Sequence, residues 1–245
     1  KLYYLADGLT SCLIDKYILN GKYLKQEMID NTCINSNKVI NVIDGTKIID
    51  SQPSLYFEGD VESLRLLMIA NVIPHKGHDV LIEALKLLKD KGKKVACDII
   101  GATDRDIYYM QQLRKMVVKY NLENNINFIG FDSDIRKHLL SHPVVVLPSD
   151  SEGTPNCIME AMSMKRLVVV SNTGGVPEMV EDGVTGFLHA PKNVESMCET
   201  LLQVMNCSMR ELEEICENGY RFWEQNLSIS SMSGKFDKIY KEICE

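Results

Sequence analysis

From residue 64 onward, short runs of β-branched and aliphatic residues alternate with longer stretches whose apolar positions recur every three or four residues. That alternation predicts an α/β fold, a Rossmann-like parallel sheet with helices on both faces. Strands are expected at 64–70, 95–100, 126–130, 144–147, 167–171 and 186–189. Between them, the stretch 77–91 places Val80, Leu81, Ala84, Leu85 and Leu88 at helical spacing and stops at Lys91 and Gly92. Further helices are expected at 106–120, with Met110, Leu113, Met116 and Val117 inward, at 134–141, at 155–164, in a short piece ending at Met179, and in three stretches from Val194 onward.

The first 50 residues fit that rhythm poorly, offering a strand-like start at 2–5, a helix at 21–30 and a strand at 39–43. They read as the tail of another unit. Residues 51–62, with Ser51, Pro53, Ser54, Gly59 and Asp60, read as a linker, leaving 63–226 as the main domain and 227–245 as a closing helix. A chain of 245 residues, 45% hydrophobic and 25% charged, is long enough for a buried core and excludes disorder as its main state. The longest apolar runs, 66–70 and 144–147, are far short of the roughly 20 residues that cross a bilayer. A net charge of -7 with scattered Lys and Arg excludes broad nucleic-acid binding, although backbone dipoles and a lysine can still hold a small anion. Eight cysteines without a C-x-x-C pair read as reduced, mostly buried thiols.

Ligands of open parallel sheets bind beyond the carboxyl ends of the strands, so the loops there carry the candidate chemistry. After the first strand, Asn71 to Gly77 places Lys76 at a helix start, where unpaired amides already favour an anion. Gly130 and Phe131 put a glycine and a flat ring at another strand end. After Leu147, the expected N-cap is Thr154 with Pro155 following, so that the amides of Gly153 to Asn156 converge. Glu152 precedes that helix and Glu160 lies within it, two carboxylates able to accept from sugar hydroxyls. Gly174 and Gly175 would let the backbone approach a ligand closely. The pairs His75/His78 and His138/His142 lack a third ligand of suitable type, so no metal site is expected.

These residues resemble a family. EGTPNCIMEAM at 152–162 is similar to the E-x7-E motif of retaining glycosyltransferases of the GT-B superfamily, glycosyltransferase family 4 or group 1. NVIPHKG at 71–77 resembles that family's G-R-L-x-x-x-K-G loop, and 171–188 resembles its G-G-x-x-E-x-V-x-x-G-x-x-G segment, in the same order. KVINVIDG at 38–45 resembles the strand that closes the family's acceptor domain. The resemblance implies the donor-binding half of an enzyme that moves a hexose from a nucleotide diphosphate sugar to a glycan or lipid-linked acceptor.

It further implies that Glu160 takes the ribose hydroxyls and that Glu152, Gly153, Thr154 and Asn156, around Pro155, hold the sugar and distal phosphate. Lys76 would neutralise the departing diphosphate, and Gly130 and Phe131 would line the base, with no cofactor and no divalent metal. The expected setting is cytoplasmic, at the inner face of a membrane where the missing acceptor domain makes peripheral contact. Asn71 departs from the pattern by standing where the family has Arg, so either another cation, Arg65, His75 or a residue of the missing half, replaces it, or activity is lower than the motif implies. Without most of the acceptor domain, this chain is expected to bind donor but not to transfer it. Two alternatives stay open: a noncatalytic nucleotide-binding module, and a sugar-nucleotide epimerase of the same architecture.

Overall fold

The computed structural model describes residues 11–32, 34–49 and 63–244. The strand expected at 2–5 and the linker at 51–62 lie outside the described residues. The N-terminal piece is small: β1 (Tyr17–Leu19), α1 (Lys22–Asn31) and β2 (Val39–Asn41), with β1 and β2 paired in parallel around Met28, Ile34 and Val39. β1 is absent from the sequence expectations, because three residues of YIL carry too little pattern to separate strand from loop.

The main domain runs β3 (Ser63–Ile69), α2 (His78–Asp90), β4 (Lys94–Ile100), α3 (Ile107–Lys119), β5 (Ile126–Gly130), α4 (Ile135–Ser141) and β6 (Val144–Leu147). It continues through α5 (Asn156–Ser163), β7 (Leu167–Ser171), β8 (Phe187–His189), α6 (Val194–Asn206), α7 (Met209–Asn226) and α8 (Ile229–Cys244). The six strands from β3 to β8 form one parallel sheet in the order β5-β4-β3-β6-β7-β8. The expected helices and strands of this domain are all present, most of them shifted by a residue at their ends. Asp106 and Asp134 stand outside α3 and α4 as side-chain caps.

The all-parallel sheet is covered on both faces, so its strands are apolar throughout. Alternation along β6 divides the core: Val144 and Val146 face α2, α3 and α6, whereas Val145 and Leu147 face α4, α5 and α7. Trp223 of α7 packs in the second layer and donates Nε1–H to Thr46 Oγ1 at 2.8 Å, fastening the N-terminal piece to the main domain. The junction between α7 and α8 adds two backbone bonds to Thr46, from Thr46 N–H to Leu227 O (2.9 Å) and from Ile229 N–H to Thr46 O (3.1 Å). The last helix is thus tied at its start to the N-terminal piece, through Thr46. Three of the described cysteines, Cys97, Cys198 and Cys216, are buried; Cys12 and Cys244 are exposed, against the expectation of mostly buried thiols.

Candidate functional site

Strand order places the site. The chain leaves β3 toward β4 on one side, whereas β6 lies on the other side of β3, so the loops after β3 and β6 diverge and open a crevice at this switch point. The loop after β3 ends in a single 3-10 turn, Pro74–Lys76, and Gly77 carries the chain into α2 with φ of 71°. A Cβ on Gly77 would lie 2.0 Å from Pro148 O, so glycine permits the two loops to touch. Asp150 N–H donates to His75 O at 2.8 Å across the same gap.

Lys76 closes the crevice. Its Nζ donates to Glu152 Oε1 at 2.7 Å, with the carboxylate side chain 8% exposed. The lysine and the acid foreseen as separate ligand contacts therefore meet each other. The helix behind Glu152 begins one residue later than expected: Pro155 is the N-cap and Asn156 the first residue of α5. The expected Thr154 cap is corrected, since no side chain caps this helix, and its first amides are left for other acceptors. Glu160, at the fifth position of α5, is half-buried, and burial raises its carboxyl above the ordinary value. Burial also pushes the neighbouring Cys157 thiol up to about 12, with Glu152 and Glu160 adding to the shift, so this cysteine is not a nucleophile.

The loop after β7 supports this arrangement from beneath. Gly175 N–H donates to Glu152 O at 3.2 Å and Thr173 Oγ1–H to Asp150 O at 3.0 Å. A Cβ on Gly174 would fall 1.8 Å from Glu152 O, and one on Gly175 would fall 2.4 Å from Gly153 O. The two glycines were expected to admit a ligand; what they admit is the backbone of the Glu152 loop.

Asn71 and Phe131 follow β3 and β5, and Gly130 is the last residue of β5. Gly130 closes β5 with φ of 90°, and Gly101 N–H donates to its carbonyl at 3.0 Å. Phe131 is 77% exposed and, with Asn71, lines a cavity of about 820 Å³. Asn71 Oδ1 accepts from Ala102 N–H at 3.0 Å. The remaining wall is Ala102 to Arg105, the loop after β4, which the sequence reading passed over. Its signal was available as an Arg three residues past the Gly-Ala at the expected strand end, in T-D-R-D.

Two further residues come from outside the expected set. Glu178 accepts from Lys22 N–H (2.5 Å), Tyr23 N–H (3.2 Å) and Asn41 Nδ2–H (3.2 Å), holding the start of α1 against the main domain. This sets the Tyr23 ring over Gly153 and Gly175: added Cβ atoms there would meet the phenol oxygen at 3.4 Å and Cε1 at 3.2 Å. Burial and the nearby Glu178 raise the Tyr23 phenol. The histidine pairs do not converge. His138 meets Asp132 (3.0 Å), His142 meets Asp98 (3.2 Å), and no group of three metal-binding side chains occurs among the described residues. No helix among these residues is long and apolar enough to cross a membrane.

The family model described as "Glycosyl transferases group 1" matches residues 58–222. The amylovoran biosynthesis glycosyltransferase AmsK of Erwinia amylovora is 32% identical over 151 residues, 58% of this chain and 36% of that protein. An uncharacterized glycosyltransferase of Methanocaldococcus jannaschii is 29% identical over 234 residues, 94% of this chain and 60% of that protein. Among solved structures, a glycosyltransferase from Rickettsia africae superposes with a TM-score of 0.85 at 24% identity, covering 100% of this chain and 66% of that one. HepE from Anabaena, in complex with UDP and glucose, superposes with a TM-score of 0.78 at 21% identity, covering 93% of this chain and 63% of that one. These likenesses show a shared GT-B fold. The chain spans 36 to 60% of the length of these curated relatives.

Proposed function

Because the chain belongs to the group 1 glycosyl transferases, we propose that it is the donor-binding half of a retaining glycosyltransferase. The donor is a nucleotide diphosphate sugar, the transferred group a hexose, and the acceptor a glycan or lipid-linked sugar. One observation carries the reading: at the switch point, a Lys76–Glu152 pair of 2.7 Å stands before the uncapped start of α5, with the half-buried Glu160 one turn further on.

In this reading the ribose hydroxyls donate to Glu160, whose carboxylate accepts two such bonds at once. Glu152 accepts from the sugar, Lys76 turns to the diphosphate, and the amides of Gly153, Thr154 and Asn156 face the distal phosphate. Phe131 and Gly130 line the base. As the bond between the anomeric carbon and the phosphate oxygen breaks, charge builds on the leaving diphosphate, and Lys76 with the helix amides stabilises it. The acceptor oxygen attacks on the face the diphosphate leaves, so configuration is retained. This division of roles needs no divalent metal, and treatment with EDTA is expected to leave transfer by the full-length enzyme unchanged. Acceptor binding is the task of a further domain of the full-length enzyme, at the cytoplasmic face of a membrane. Assayed alone, the chain is expected to bind donor without transferring sugar.

Calorimetry with UDP, GDP and ADP tests the reading, with UDP first because the Anabaena relative holds it. One of the three is expected to bind in the micromolar range, and Glu160→Ala to weaken it about ten- to a hundredfold, the loss of a charge-assisted pair of hydrogen bonds. Nucleotide binding indifferent to Glu160→Ala would sink the proposal. The uncharged Asn71 favours one rival, a noncatalytic nucleotide-binding module. Sugar transfer by the full-length protein separates the two.

A further inference from the structure

A diphosphate ester brings about two negative charges into the crevice. The crevice is poorly supplied to receive them. Lys76 is paired with Glu152 at 2.7 Å and Lys192 with Asp150 at 3.1 Å, while Glu160 adds a half-buried carboxylate. Asn71, at the end of β3, contributes no charge. Arg105 is different. It lines the same cavity as Asn71 and Phe131, is exposed, and makes no ion pair or side-chain hydrogen bond among the described residues.

The loop that carries Arg105 is fixed to the end of β3 at three points. Val72 N–H donates to Ala102 O (2.9 Å), and Ala102 N–H donates to Asn71 Oδ1 (3.0 Å). Gly101, with φ of 151°, sits so close that a Cβ would lie 2.0 Å from Ala70 O. The Asn71 carboxamide oxygen is thus spent on the loop after β4. A cationic side chain at position 71 has no acceptor atom and could not make that bond.

Building on the donor-site reading above, we infer that Arg105 supplies the diphosphate-binding charge that position 71 lacks, and that Asn71 is a positioning residue that holds the Arg105 loop. The guanidinium fork suits two phosphate oxygens at once, which an amide at position 71 does not. Charge and anchor have been divided between two loops.

The test is calorimetric titration of the chain with UDP, GDP and ADP and with the matching nucleosides, for wild type, Arg105→Gln, Asn71→Ala, the double variant, and Arg105→Gln with Asn71→Arg. For the diphosphate that binds, Arg105→Gln is expected to weaken affinity about tenfold or more while changing the nucleoside less than about twofold. Asn71→Ala is expected to weaken the diphosphate in the same direction, with the double variant no worse than Arg105→Gln alone, because one acts through the other. Asn71→Arg is expected to restore diphosphate affinity to Arg105→Gln. Equal weakening of nucleoside and diphosphate would overturn the inference by making Arg105 a reader of the base, and so would additive single losses. Glu160-dependent binding that Arg105→Gln leaves unchanged would overturn this inference alone, whereas binding indifferent to Glu160 would overturn the donor-site reading and this inference with it.

Discussion

Glu160 and His78 are both drawn out of water, with opposite consequences for stability. Burial raises the Glu160 carboxyl, so the folded chain binds more protons than the unfolded one from the ordinary value of 4.5 upward to the raised one. Its contribution to stability therefore falls as pH rises through that window and is flat above it. Glu160→Gln is expected to remove this slope in urea titrations between pH 4 and 7 and to leave stability at pH 7 undiminished, while nucleotide binding drops. His78 is fully buried edge-on to Tyr109, and burial lowers its pKa from 6.5 to about 4. Here the unfolded chain binds the extra proton, so stability is lost as pH falls from 6.5 toward 4, by about 3 kcal/mol in all. His78→Leu is expected to flatten that acid limb in the same urea titrations; an unchanged limb would show that His78 is not its source.

Loops rather than helices carry the exacting geometry. Gly174 lets the loop after β7 run under Glu152, where an added Cβ would sit 1.8 Å from the Glu152 carbonyl oxygen, at φ of 55°. Gly174→Ala is expected to cost about 2–4 kcal/mol, left-handed strain plus overlap, and to displace Glu152 so that nucleotide binding is lost. Gly183 has φ of 71° but nothing within 4 Å of its added Cβ, so Gly183→Ala is expected to cost only about 1 kcal/mol and to leave binding intact. Denaturant melts with paired calorimetry compare the two, and similar binding by both variants would refute the role given to Gly174. The start of α5 teaches a related lesson. Thr-Pro reads locally as cap and first helical residue, yet Pro155 itself is the cap, with ψ of 111°, and Thr154 stays in the loop. Local cap preference is worth about 1 kcal/mol, which tertiary packing of the Glu152 loop readily overrides.

Across the molecule, Glu178 and Thr46 join the N-terminal piece to the main domain. Glu178 takes both leading amides of α1, and Trp223 and the α7–α8 junction take Thr46. Glu178→Ala leaves the α1 amides unmatched and removes the Asn41 contact, at an expected cost of about 1–3 kcal/mol to docking. Brief trypsin treatment is expected to cut this variant at Lys22 or Lys25 sooner than wild type, while fragments containing the six-stranded sheet persist. Equal cleavage rates would show that Glu178 does not hold the piece. Tyr23, carried by that docking to the edge of Gly153 and Gly175, is how a distant part of the chain comes to border the crevice.

The hydrophobic rhythm from residue 64 onward was enough to reveal the strands, the helices and the loops that carry Asn71, Lys76, Phe131, Glu152 and Glu160, because burial on one face or both leaves a period in the chain itself. What no period records is which loops meet. Lys76 and Glu152 are 76 positions apart and reach 2.7 Å only because β3 and β6 are neighbours in the sheet. The Asn71–Ala102 bond, the Glu178 clasp on α1 and the Gly174 underpass arise in the same way. Each joins segments through strand order and close backbone approach, and those are settled by packing of the whole chain rather than by spacing within any stretch of it.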